Sequence, residues 1–170
     1  MPIALPMLFT YALSACMLWV VVSDATRYII PNTLNLALLV LYVAAALLLP
    51  VSPWLPALCA AALMLAVGLG LFMLGLMGGG DIKLLVVLSL WTGWGVTTSQ
   101  FIFLTAIFGG VLVFVVLMLR AVIAPVWVKT FPRRNLPRLL TRKQPVPYGL
   151  AIATSFTWLL WTGAIAGLNG

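Results

Sequence analysis

Residues 101–124 read FIFLTAIFGGVLVFVVLMLRAVIA, a run of twenty-four positions interrupted by one charge, Arg120. A spanning helix needs about 20 mostly apolar residues to cross a hydrocarbon core, and this run exceeds that length without a proline. Working outward, five further apolar runs lie at about 4–23, 33–50, 55–77, 83–99 and 148–168. Over all 170 residues, 65% are hydrophobic and 6% charged, with mean hydropathy +1.24. A soluble domain carries roughly a quarter of its residues as Asp, Glu, Lys or Arg, so this chain cannot wet its own surface. A soluble globular fold, a disordered chain and a coiled coil are excluded. The expected fold is all-α, a polytopic membrane helical bundle of about six transmembrane helices, in a single domain over residues 1–170.

The breaks between runs carry turn chemistry. Pro31-Asn32 closes the first connection, three prolines in residues 50–56 make the second, Gly78-Gly79-Gly80 the third and residues 93–100 the fourth. The fifth, residues 124–147, is long and basic. Leu13-Ser14-Ala15-Cys16 matches a lipoprotein signal box, but no Lys or Arg precedes it and the apolar run continues through Val22. A first spanning helix is therefore expected there. Ala62, Ala66 and Gly70 on the third run, and Gly163 with Gly167 on the sixth, form small-residue stripes that suit close helix packing. The expectation is packing inside the bundle, with a homodimer seam as the alternative.

The cations orient the chain. Arg27 falls in connection one, Lys83 at connection three, and Arg120, Lys129, Arg133, Arg134, Arg138, Arg142 and Lys143 in or beside connection five. Connections two and four have none. All nine therefore share one face, which the positive-inside rule makes cytoplasmic, with both termini outside. Trp54, Trp91, Trp94, Trp158 and Trp161 fall near the opposite boundary, as an aromatic belt does. The formal charge of +7 fits a basic loop on anionic headgroups and not nucleic acid. There is no His, and Cys16 and Cys59 stand apart in apolar runs. Metal chemistry is largely out of reach, and no metal site or cofactor is expected.

Only two acids occur, Asp24 and Asp81, each at the predicted cytoplasmic end of a span. Ionisable groups at membrane depth are costly and mark functional sites by default. Each also has a simpler reading: Asp81 as an N-cap of the fourth helix, Asp24 as a partner for Arg27 three residues on. Against these, Asp24 stands at a helix C-terminus, which disfavours negative charge. Asp81 follows three glycines, which permit φ > 0 and let another backbone come close. Two carboxylates held near each other do not both ionise comfortably, so one keeps a proton. The ionised member can take a proton from water while the other donates to a scissile carbonyl. That is aspartic protease chemistry, which needs no metal, His or nucleophilic Cys.

Two motifs hold these acids: Asp24-Ala-Thr-Arg27-Tyr-Ile-Ile-Pro31-Asn32 and Gly78-Gly79-Gly80-Asp81-Ile82-Lys83-Leu84. A third element, Pro147-Tyr148-Gly149-Leu150-Ala151, opens the last run. With these the sequence resembles the type IV prepilin peptidases, membrane aspartic proteases of the GxGD class. The resemblance covers nearly the whole chain. It implies that Asp24 and Asp81 are the catalytic dyad and that the substrate is a prepilin or pseudopilin. Its short basic leader would be cut at the cytoplasmic face of a bacterial inner membrane or an archaeal membrane. The longer members carry a Cys-x-x-Cys domain and also N-methylate the new terminus. This sequence has no such motif, so the expectation is the short Flp/Tad-associated form without methyltransferase activity.

Supporting roles are expected for Gly78 and Gly80 in the turn before Asp81, for Pro31 and Asn32 at the start of span two, and for Tyr148. Lys83 reads either as a snorkelling interfacial anchor or as a charge that tunes Asp81. Arg27 reads either as a headgroup contact or as a partner of Asp24. Two rival functions stand beside the peptidase: a small proton-coupled transporter or channel, where buried acids and glycine-broken helices also occur, and a non-catalytic pilus or secretion assembly subunit.

Overall fold

The computed structural model describes residues 4–51, 53–130 and 146–168. These form six helices and, among the described residues, no strand: α1 (Ala4–Arg27), α2 (Asn32–Leu48), α3 (Trp54–Met73), α4 (Gly79–Thr92), α5 (Val96–Thr130) and α6 (Tyr148–Trp161). The helices α1, α3 and the Val96–Trp127 part of α5 are long and apolar enough to cross a membrane, and α2 is a shorter apolar helix. At fourteen residues each, α4 and α6 rise only about 21 Å, less than a hydrocarbon core of about 30 Å. They are also the most enclosed, with eight buried residues apiece. Around them the outer helices turn Leu, Val and Phe side chains outward, such as Leu18, Leu55, Phe103 and Phe114. In water this would be an aggregating surface; against lipid tails it is the expected one. The protein is an all-α membrane bundle.

The core follows helical spacing. Phe9, Leu13, Met17 and Val20 of α1, and Leu34, Leu38, Tyr42 and Ala45 of α2, recur every three or four residues on one face. They meet Leu84, Leu88 and Trp91 of α4 and Ile152, Phe156 and Leu159 of α6. Trp91 is therefore a core residue, 2% exposed and edge-on to Tyr42, while Trp54, Trp94, Trp158 and Trp161 are exposed. The face that α3 buries is Ala57, Ala61, Met64 and Gly68, and Ala62, Ala66 and Gly70 point outward. A helix offers several stripes at this spacing, and only the position of α4 selects between them.

Helix ends depart from the apolar runs where glycine turns intervene. After α6 the chain makes a Schellman turn: Gly163 (φ 71) donates to the Leu160 carbonyl at 3.4 Å and Ala164 to that of Leu159 at 3.0 Å. The α3 helix ends the same way at Gly75 (φ 68), well before residue 77. Gly163 and Gly167 (φ 79) thus lie beyond α6 in left-handed backbone, and no helical Gly-x-x-x-Gly seam exists there. Gly93 (φ 66) stops α4, so residues 96–99 begin α5 instead of ending the fourth span. At its other end α5 continues through Pro125 to Thr130, so the first part of the expected loop is helical. A proline deletes one backbone donor, which apolar spanning helices tolerate. The remainder of the basic loop, with Arg133, Arg134, Arg138, Arg142 and Lys143, lies outside the described residues.

Candidate active site

Five chain segments converge at one end of the bundle: the last turn of α1, the link to α2, the turn after α3, the first turn of α4 and the start of α6. Between them is a cavity of about 570 Å³ whose lining includes Asp24, Ile30, Asn32, Gly78, Gly80, Asp81, Lys83 and Tyr148. That volume lies within the roughly 300–1,000 Å³ of typical ligand sites. Both acids of the chain face this one space.

Asp24 is 4% exposed, in the last turn of α1. The helix is stopped by Tyr28, a non-glycine residue at φ 58, a conformation uncommon outside glycine and asparagine. The Tyr28 N–H returns to the Asp24 carbonyl at 3.0 Å, and Ser23 Oγ donates to the Ile29 carbonyl at 2.5 Å, which holds the turn. The Asp24 carboxylate does not reach for Arg27, which is exposed. It accepts the Leu150 N–H at 3.3 Å. The orphan donors at the start of α6 thus offset the unfavourable end of α1. Gly149 makes this approach possible: a Cβ there would lie 2.7 Å from Asp24 Oδ2 and 3.0 Å from Ile30 Cδ1.

Asp81 occupies the third position of α4, and its Oδ2 accepts the Gly78 N–H at 3.2 Å. This is the carboxylate half of a capping box, so the simple helix-start role is real and coexists with exposure to the cavity. Burial, with the negative charge of Asp24 adding to it and the Gly78 N–H opposing it, raises the Asp81 carboxyl to about 6. The glycine run meets one half of the expectation and not the other. None of Gly78, Gly79 and Gly80 has positive φ, but another backbone does come close, with Ile30 Cβ 3.4 Å and Ile30 N and O 3.8 Å from where a Gly80 Cβ would be.

Lys83 donates to Asn32 Oδ1 at 3.1 Å. This ties the first residue of α2 to the first turn of α4, a role that neither sequence reading of Lys83 contained. Pro31 caps α2 in extended backbone (φ −64, ψ 139) and, like Arg27, is not among the residues lining the cavity. The Tyr148 ring stands on α5 at Gly109, where a Cβ would lie 3.5 Å from Cε1. Residues that sequence reasoning missed are Ser23 and Tyr28, which carry no distinguishing signal, and Gly149 and Leu150. The latter pair had a signal in the Pro-Tyr-Gly element opening the last run.

The arrangement is that of a membrane helical bundle with two carboxylates in one cleft at its end. The model of the type IV leader peptidase family matches residues 11–127, a stretch that includes both acids. The chain belongs to that family and is a membrane peptidase. No curated protein and no solved structure matches it. The start of α6, with Gly149 and Leu150, lies beyond the matched residues, so its contact with Asp24 is information from the fold.

Proposed function

We propose that this protein is an aspartic endopeptidase that removes the basic leader from prepilins or pseudopilins, of the Flp/Tad type, at the cytoplasmic face of the cell membrane. The observation that carries the reading is that the chain's only two acids, Asp24 and Asp81, line one cleft. In the proposed mechanism Asp24, held by the Leu150 N–H, takes a proton from the attacking water. Asp81 donates its proton to the scissile carbonyl oxygen as the tetrahedral intermediate forms; on its collapse the C–N bond breaks, Asp24 passes its proton to the leaving amine nitrogen, and Asp81 takes one back from a hydroxyl of the intermediate as the new carboxyl group forms. The pair titrates as a unit and ends each cycle with one proton between them. The cavity of about 570 Å³, lined by both carboxylates, Ile30 and the glycine run, gives an extended peptide room beside the dyad. Both termini lie outside in this reading, and Arg27 and Lys83 face the cytoplasm.

The test is co-expression with a prepilin and detection of leader loss by mass. Wild-type chain converts the substrate, while Asp24→Asn and Asp81→Asn each leave it uncut although both variants accumulate in the membrane. Processing that persists in either variant overturns the dyad. Reporter fusions after Arg27, Lys83 and Arg138 all read cytoplasmic; one that reads outside overturns the orientation.

A further inference from the structure

Six of the described residues have positive φ, and five of them are glycines: Gly75, Gly93, Gly95, Gly163 and Gly167. The sixth is Tyr28, at φ 58. A side chain in left-handed backbone carries a steric cost that glycine escapes. The turn that ends α1 uses only the Tyr28 N–H, which returns to the Asp24 carbonyl at 3.0 Å, and glycine would offer the same donor. The turn therefore gives no reason for a side chain at position 28.

The packing gives none either. Tyr28 is half-buried, yet among the described residues its hydroxyl has no hydrogen-bond partner. No other aromatic ring meets it, and it is not among the residues packed on the core. Tyr148, the other tyrosine of the cleft, differs, since its ring stands on Gly109 of α5. What Tyr28 does border is the cleft, together with Asp24, Asp81 and the exposed Ile29 that follows it. It stands about one helical turn along the chain from Asp24. An extended peptide advances about 3.3 Å per residue, so a ring anchored there meets the substrate within a residue or two of the bond under attack.

We propose that Tyr28 is a substrate-contacting residue that sets specificity, its ring forming the wall of a subsite for one large apolar side chain beside the scissile bond. This rests on the peptidase reading. The ring and the Ile29 side chain offer apolar surface, against which an aliphatic or aromatic substrate side chain gains by leaving water. Alanine has little area to bury there, and a charged side chain loses hydration without a partner. Tyr28 takes no part in proton transfer. The strained backbone is kept because it carries the ring, and the ring serves the substrate instead of the fold.

The test uses the full chain in detergent and a panel of one prepilin in which each residue flanking the scissile bond is set in turn to Ala, Leu, Phe and Lys. Wild-type chain should prefer Leu or Phe over Ala at one of these positions. Tyr28→Gly should lower kcat/KM for Leu and Phe there by roughly 10-fold and leave Ala within about 2-fold. Its unfolding temperature should equal or exceed that of the wild type, because the strain is relieved. Tyr28→Phe keeps the ring and should keep the preference. In the Asp81→Asn background, a benzophenone side chain in place of Tyr28 should capture prepilin, while one in place of Tyr11, near the other end of α1, should not. A preference absent from the wild type or surviving Tyr28→Gly, a lowered unfolding temperature, or failure to capture would overturn the assignment. So would equal slowing on every substrate, which is what a tyrosine anchored among headgroups would give. Should wild-type chain cut no member of the panel, the peptidase reading itself falls; should it cut them and the Tyr28 outcomes fail, the subsite alone falls.

Discussion

Gly149 is where a single methyl group tests the site most directly. Gly149→Ala places a Cβ 2.7 Å from Asp24 Oδ2, 3.1 Å from its Cγ and 3.0 Å from Ile30 Cδ1. Ordinary carbon contacts begin at about 3.5 Å, so the carboxylate or the start of α6 must shift by roughly 0.5–1 Å. Overpacking of this kind costs about 1–3 kcal/mol of stability. The effect on rate should be larger than that cost suggests, because a misplacement of about 1 Å can lower turnover by roughly 100-fold. The expected phenotype is therefore a folded, membrane-inserted variant whose prepilin processing is about 10- to 100-fold slower. Gly110→Ala is the control, since a Cβ there meets nothing within 4 Å. The assay is leader loss over time at matched protein levels, with thermal unfolding in detergent alongside. If Gly149→Ala processes prepilin at the wild-type rate while Gly110→Ala does too, the contact between α6 and Asp24 does not position the carboxylate.

Four further outcomes follow from the same geometry. The Asp81 carboxyl stands at about 6, so in the proposed role its proton is lost as pH rises through that value, and kcat/KM measured from pH 5 to 8 should fall on the alkaline side. The same raised value means that the Asp81 contribution to stability is present below the ordinary value of 3.8 and lost as pH rises through about 6. Inactive Asp81→Asn should then match the wild type in unfolding temperature only below the ordinary value of 3.8, exceed it at pH 5 and exceed it by more at pH 8; equal unfolding temperatures at pH 8 would count against this. Lys83 is not among the groups that shift Asp81 and donates to Asn32 instead, so Lys83→Met should slow processing a few-fold with the alkaline limb unmoved; a limb displaced by a full pH unit would restore the tuning role. Gly163→Ala forces a left-handed side-chain residue (φ 71) and should cost about 1–2 kcal/mol, read as a lower unfolding temperature; no change would mean that the turn after α6 has relaxed.

The positive end of α6 reaching across the bundle explains how a carboxylate survives at the C-terminal turn of α1. On α1 alone Asp24 is misplaced, against the carbonyl end of its own helix. Beside Leu150 it has a donor. The two acids are thus held by different devices: Asp81 by a local bond three residues back, Asp24 by a contact 126 residues away. Only the first can be read along the chain.

By itself the amino-acid sequence determined the class of fold and the chemistry available. The apolar runs leave no alternative to a helical membrane bundle, because backbone in lipid must bond to itself, and two acids with no histidine leave little else to do chemistry with. Local signals such as Gly75 and Gly163, placed where apolar runs continue past the true helix ends, were legible in principle but masked by hydropathy, which does not register a positive φ. The tertiary structure alone decided that Ala57, Ala61 and Gly68, not Ala62, Ala66 and Gly70, pack against α4, that Trp91 belongs to the core, and that Gly149 touches Asp24. Each of these depends on which face of one helix meets another. Helical periodicity offers several equivalent faces, and the choice is made by contacts between residues far apart in the chain.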